Sequence, residues 1–179
     1  ALSTPLVYSG GIKKASEGVD VIKRGADRVA INSMMMSSLD EIESLSRILC
    51  AQALIGVLPV SVVDENLVFY NYLQRKIDPE FFVRTLPAVE RHVSEFMIID
   101  HLNEGEKAAF DSNLSCYFDC FNRPLIAFGG ISEPEQIKSL IADHAISGIA
   151  IGNFLNYRES AIEYYKKLII SPRLRAIDS

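Results

Sequence analysis

Three cysteines in 179 residues, odd in number and sparse, exclude a disulfide framework and fit a reduced, cytoplasmic setting. Cys116 and Cys120 stand four apart, on one face of an expected helix. With no second ligand pair nearby, they read as buried core thiols and not as a metal or redox site. Lysine and arginine never form a run, and 18 basic against 23 acidic residues leave a net charge of −5. That balance argues against a generic nucleic-acid surface. No apolar stretch reaches the length of a membrane span, and the first residues lack the basic-then-apolar order of a signal peptide. No linker, composition shift or low-complexity segment divides the chain. There is no methionine at the start, and a strand begins within a few residues, so the sequence reads as a piece of a longer or processed chain.

What is present is a chain 49% hydrophobic and 23% charged, enough to bury one domain's core. Short β-branched or apolar runs at 6–8, 28–32, 53–63, 96–100, 125–128 and 146–151 predict strands. Helical patterns between and after them cover 15–24, 39–49, 79–93, 112–121, 133–143 and 158–169. Ser38 and Ser132, each followed by acidic residues, look like helix caps, and Gly25 stands where a helix wants a left-handed residue after its end. Near-continuous apolar strands alternating with helices predict a parallel sheet covered by helices, either doubly wound or closed into a (β/α)8 barrel. A whole barrel takes about 250 residues, so six units in this length fit strands 3 to 8 of one, as a single partial barrel domain over 1–179. The connection 64–78 has room for a small hairpin, 67–70 with 73–75.

One internal repeat carries most of the functional signal. PLVYSGGI (5–12) returns as PLIAFGGI (124–131), and the strand that follows each, RVAINS (28–33) or GIAIGN (148–153), keeps nearly the same offset. The repeated object is therefore a βαβ unit. Gly10, Gly11, Gly129 and Gly130 fall where a strand ends and a helix begins, so their backbone N–H groups are able to approach an anion closely. Strand-end groups at Asn32, Ser33, Ile151, Gly152 and Asn153 stand in place to close each grip. Two such grips on one face predict a ligand with a phosphate at each end. Tight βα turns are the plainer use of a single Gly-Gly. Asp64 ends the strand VSVVD, where a carboxylate facing the ligand is expected, a turn cap being the alternative. Asp100, His101, Glu104, Gly105 and Glu106 follow the next strand and suggest a flexible catalytic loop or a solvated one. His92 and His144 fall near helix ends, as surface or capping residues.

GADRVAIN, the paired Gly-Gly units, VVDE and SEFMII…EGEKAAFD together resemble the cyclase subunit of imidazole glycerol phosphate synthase, from its third strand onward. The resemblance implies a ribulose-phosphate-binding type of (β/α)8 barrel that needs no cofactor or metal. It implies a heterodimeric glutaminase subunit as partner, supplying ammonia. The substrate would be a phosphoribosyl-formimino-carboxamide ribotide bisphosphate, converted to imidazole glycerol phosphate in histidine biosynthesis. Asp64 matches one member of the family's acid/base pair of aspartates. Gly105 matches a glycine of the phosphate-contacting loop. Arg28 and Glu95 match the charged ring that gates ammonia entry, though a plain ion pair would look the same.

The chain also departs from that pattern. The family's first two strands, and the aspartate ending the first, have no counterpart. Leu102-Asn103-Glu104-Gly105-Glu106 replaces Asp-Arg-Asp-Gly-Thr, Phe128 replaces a small residue, and Gly152 replaces a serine. Two alternatives therefore stand beside the cyclase reading. One is a divergent paralogue delivering ammonia to a sugar in surface-polysaccharide synthesis. The other is a non-catalytic, truncated barrel that self-associates through its open strand edges.

Overall fold

The computed structural model describes residues 4–119, 121–157, 160–169 and 171–172. They form two compact units that divide between Met97 and Ile98, inside one strand. The start of the last expected helix, at Arg158 and Glu159, and Cys120 lie outside the described residues.

In the first unit, β1 (Val7–Ser9) leads through α1 (Ala15–Lys23) to β2 (Arg28–Ile31), then through α2 (Ser33–Ser37) and α3 (Leu39–Leu49) to β3 (Leu54–Val63). β1, β2 and β3 are parallel neighbours, with Val7 opposite Arg28 and Val29 opposite Leu54. Residues 54–61 of β3 are all buried, as the unbroken apolar run required of a strand covered on both sides. Pro59 falls between the β2 ladder, whose register ends at Gly56, and the β4 ladder, which begins at Val60. Ser38 caps α3, its hydroxyl accepting from Glu41 N–H at 3.3 Å, while Gly25 (φ 110°) follows α1. Both were expected.

After β3 the chain turns straight back through Asp64 and Glu65, at φ 49° and 62°, into β4 (Asn66–Asn71), antiparallel to β3. A two-residue turn with both φ positive matches the right-handed twist of its strands. β4 then pairs with β5 (Lys76–Asp78), not with the expected 73–75. The buried Asn71 explains the shift, because its Oδ1 accepts from the N–H groups of Leu73 and Gln74, each at 3.0 Å, and holds those residues in a turn. The helix expected over 79–93 is two short ones, α4 (Phe81–Arg84) and α5 (Leu86–Glu90). Pro87 has no N–H to continue the first and clashes with its last turn, so the chain breaks at Thr85 and restarts. Phe69 stacks on Phe81, centroids 3.6 Å apart, and closes the core under the hairpin. β6 (Glu95–Asp100) begins in this unit, where Ser94 N–H donates to Leu54 C=O at 3.0 Å and the Phe96 ring fills the space over Gly56.

The second unit takes the end of β6 and continues through a 3-10 helix (Ser112–Phe118), β7 (Leu125–Phe128), α6 (Pro134–Ala142), β8 (Ile146–Ile149), a second 3-10 helix (Asn153–Tyr157) and α7 (Ala161–Leu168). β7 and β8 are parallel, Leu125 opposite Ile146, with one register shift after Leu125. The α-helix expected from residue 112 is 3-10 instead. Its sequence SNLSCYF is poor in strong helix formers, and its Ser and Asn side chains bond locally: Ser115 Oγ donates to Ser112 C=O at 3.2 Å. Cys116 is exposed on it, as Cys50 is after α3, so neither is a core thiol. Ser132 is not the cap of α6. Glu133 holds that position, and the buried Ser132 hydroxyl accepts from Ala108 N–H at 3.0 Å.

Candidate ligand-binding site

The first Gly-Gly loop is exposed at Gly10 and Gly11, with Ile12 buried beneath it. Gly11 has φ 47°, which reverses the chain into α1. The amides that follow are already engaged. Glu17 Oε2 accepts from Lys13 N–H at 2.8 Å and Lys14 N–H at 3.1 Å, and Glu41 Oε2 accepts from Ala15 N–H at 2.6 Å. These bonds hold the Glu17 carboxyl below its ordinary pKa, the Lys13 amide acting most strongly, then that of Lys14. An incoming anion must therefore use the amides before Lys13, with the exposed Lys13 and Lys14 side chains following in sequence. Asn32 is turned to structure: its Nδ2 donates to Val57 C=O at 2.8 Å and ties the end of β2 to β3. Ser33 opens α2.

Asp64 is the first residue of the β3–β4 turn, exposed, with its C=O accepting from Asn66 Nδ2 at 2.7 Å. It stands at a strand end as expected, but the tight hairpin was not legible in VVDENLVF. Arg28 and Glu95 are ion-paired, and the guanidinium also donates to Ser94 Oγ at 2.6 Å and Gln52 C=O at 3.1 Å.

In the second unit the structure gathers the glycines of the second copy of the repeat with the loop glycine after β6. Gly105, Gly129, Gly130 and Gly152 line one cavity of about 140 Å³, together with Glu104, Phe128 and Asn153. Gly129 (φ 98°) and Gly130 (φ 68°) let the backbone pack where no side chain fits. A Cβ on Gly130 would lie 2.8 Å from Asn103 O and from Phe110 N, and one on Gly129 3.0 Å from Asp100 O. Asp100 organises this wall. It is buried at 2% exposure, and its Oδ2 accepts from Asn103 Nδ2 and from Asp111 N–H, both at 2.8 Å. Gly130 C=O accepts from Ala109 N–H at 2.9 Å and locks the far end of the same loop. Residues 104–106 thus sit on a pinned loop. Asp100 was legible only as one of several polar residues after a strand.

Ile151 does not join that cavity. It lines a larger apolar one, about 290 Å³, with Ile137, Ile141, Leu155 and Ile162. Lys107 pairs with Glu133 at 2.9 Å, and that hydrogen bond, with the charge of Glu133 next, raises the Lys107 pKa. His92 Nε2 accepts from Arg91 Nε at 3.0 Å, and partial burial, followed by the Arg91 charge, lowers its pKa. Among the described residues, no group of three or more His, Cys, Asp or Glu is placed to hold a metal ion, and no helix is long and apolar enough to cross a membrane.

Parallel βα units in succession, one pair of them repeated with a Gly-Gly loop opening a capped helix, define a chain of the (β/α)8-barrel class, present here in part. It belongs to the family described as histidine biosynthesis protein, whose model matches residues 1–161. Among its relatives, the imidazole glycerol phosphate synthase subunit HisF of Bacillus licheniformis is 21% identical over 92% of this chain and 67% of its own length. The subunit HisF of Thermotoga sp. (strain RQ2) is 24% identical over 98% and 72%, and that of Petrotoga mobilis 26% identical over 86% and 62%. The chain thus spans about two thirds of the length of these relatives and is a divergent, HisF-like sequence.

Proposed function

We propose that this chain is the synthase half of a glutamine-dependent ammonia-transfer pair and acts in histidine biosynthesis as the HisF relatives' name describes. A glutaminase subunit supplies ammonia. The synthase cleaves and cyclises a phosphoribosyl-formimino-carboxamide ribotide, releasing imidazole glycerol phosphate and an aminoimidazole carboxamide ribotide. The observation that carries this reading is the repeated Gly-Gly βαβ unit inside a chain of that family. In each copy the glycines precede a helix whose third residue, Glu17 or Gln136, accepts from the backbone N–H groups at its start. The donors proposed for an anion are the glycine amides ahead of each fixed helix start, where little reorganisation is needed on binding.

Asp64 is the acid/base candidate. It is exposed at a strand end, so it exchanges protons with solvent between turnovers. Arg28 and Glu95 are the candidates for the ammonia entrance.

The test is turnover of the ribotide by the full-length gene product, with ammonium salts and then with glutamine plus the glutaminase. Conversion that disappears in Asp64→Asn supports the assignment. Unchanged conversion in that variant removes Asp64 from the chemistry, and no conversion by the native pair removes the cyclase reading.

A further inference from the structure

Ser132 follows the second Gly-Gly pair by two residues and joins three segments of the chain. Its N–H donates to Gln136 Oε1 at 3.1 Å, and its hydroxyl accepts from Ala108 N–H at 3.0 Å. Its C=O accepts from the Tyr165 hydroxyl, on α7, at 2.6 Å. The residue is buried, at 5% exposure. In the first copy of the repeat the equivalent place holds Lys13, an exposed cation whose N–H donates to Glu17. Where the first loop carries a charge, the second carries a junction.

Ala108 shows what that junction holds. It sits at φ 56°, in the left-handed region that a residue with a Cβ enters only at a cost. On either side of it, Lys107 Nζ pairs with Glu133 Oε1 at 2.9 Å and Ala109 N–H donates to Gly130 C=O at 2.9 Å. Three successive residues are thus fastened to the segment 130–133, and the strained one is held by the Ser132 hydroxyl. Strain of this kind persists where the surrounding contacts over-determine the backbone. Gly105 stands two residues before the fastening and lines the cavity with Gly129 and Gly130. Both walls of that cavity therefore meet at Ser132.

We propose that Ser132 is a positioning residue for the ligand grip at Gly129–Gly130, and that Tyr165 acts through it. Neither lines the cavity. Ser132 sets where the loop carrying Gly105 stands against the two glycines. The Tyr165 hydroxyl fixes the peptide that carries the Ser132 carbonyl and so ties α7 to the grip. Amide donors already in place lose little freedom when an anion arrives, and loosening either bond weakens binding at this loop and not at the first. This inference rests on the reading of the Gly-Gly loops as phosphate grips and adds which residues hold the second one in shape.

Inorganic phosphate titrated into the ¹⁵N-labelled full-length gene product, read at the amides of both loops, tests it. The native protein should show saturable shifts at Gly10, Gly11, Gly129 and Gly130. Tyr165→Phe keeps the ring and removes only the hydroxyl. It should raise the phosphate Kd at Gly129 and Gly130 about fivefold and leave that at Gly10 and Gly11 unchanged. Ser132→Ala should weaken the second loop further, and Ser132→Thr, which keeps the hydroxyl, should recover most of that loss. Unchanged affinity at the second loop in Tyr165→Phe overturns the proposal, and so does an equal loss at both loops, which marks general destabilisation. Native shifts at both loops leave the phosphate reading standing in either case. A native protein that responds at neither loop removes the grips themselves, and this inference with them.

Discussion

Glu17 and Gln136, 119 positions apart, make the same two hydrogen bonds. Each accepts from the N–H of the third and fourth residues before it, and each thereby stops the chain from drifting between a Gly-Gly loop and a helix. The side chains differ in charge but not in geometry, so the repeat reaches further into the structure than the matching letters of the two strands. Capping bonds of this kind are worth about 1 kcal/mol. Gln136→Ala should lower the unfolding free energy by roughly that amount, measured by urea denaturation, whereas Gln136→Glu should keep most of it. Equal losses in the two variants would show that the acceptor oxygen is not what matters.

Because the Glu17 carboxyl is held below its ordinary value, its contribution has a definite pH dependence. The folded state favours the ionised form. The stabilisation is full above the unfolded pKa, near 4.3, and is lost as pH falls through the lowered folded value. Glu17→Gln preserves the acceptor and removes the titration. The stability difference between native and variant should shrink on going from about pH 6 to about pH 3. A difference that stays constant over that range would contradict the bonding described for Glu17.

Gly11 and Gly130 both have left-handed φ, 47° and 68°, but only Gly130 is closely surrounded. Among the described residues, and apart from its chain neighbours, no atom lies within 4 Å of a Cβ built on Gly11, while one on Gly130 meets backbone atoms at 2.8 Å. Gly11→Ala should cost about 1–2 kcal/mol from backbone strain alone. Gly130→Ala should cost roughly 1–3 kcal/mol more, since backbone cannot swing aside as a flexible side chain does. Urea denaturation of the two variants reads the difference, and equal losses would mean that the loop 103–110 yields easily.

The positions of parallel strands and most helices were legible because they rest on local periodicity: the buried run of β3 and the Ser38 cap are written in adjacent residues. The misses share a different cause. The break at Thr85 depends on Pro87 withholding one N–H, and the return strand at Lys76 depends on how the Asn71 side chain folds back on its own loop. Each is decided by one or two local hydrogen bonds that hydrophobic patterning does not register. At the site, Gly129, Gly130 and Gly152 were identifiable from the repeat and Gly105 from the family resemblance, and the cavity gathers them. Ile151 carried the same sequence signal but falls on a different cavity, since successive residues at a strand end point to opposite sides. Asp100 was under-read because its partners, Asn103 and Asp111, come together only once the loop has closed.

Asp100 accepts two hydrogen bonds on one buried oxygen, so Asp100→Ala strips both and leaves two donors to find water. Hydrogen bonds to a charged group contribute about 1.5–3 kcal/mol, and a loss in that range is expected. Asp100→Asn retains an acceptor oxygen and should lose less. The loop also holds Lys107, so tryptic cleavage after Lys107 gives a local readout. Cleavage should accelerate in the alanine variant more than global destabilisation alone requires. Cleavage that tracks only global stability would remove Asp100 as the residue that pins the loop.

Arg28 makes three side-chain contacts, to Glu95, Ser94 Oγ and Gln52 C=O, and the ion pair is mostly covered, with side chains 27% and 20% exposed. A structural role and a role in ammonia entry predict different things. As a structural pair, Arg28 and Glu95 should show a coupling of about 1 kcal/mol in a double-mutant cycle, and every activity should fall together. As part of the entrance proposed above, Arg28→Ala should lower glutamine-dependent turnover more than turnover with added ammonium salts, because only the former needs ammonia guided from the partner. The ratio of the two rates in the assembled pair is the measurement. A ratio that falls severalfold while unfolding free energy drops by only about 1 kcal/mol assigns the residue to ammonia entry. An unchanged ratio makes the pair a fastening between β2 and the start of β6 and nothing more.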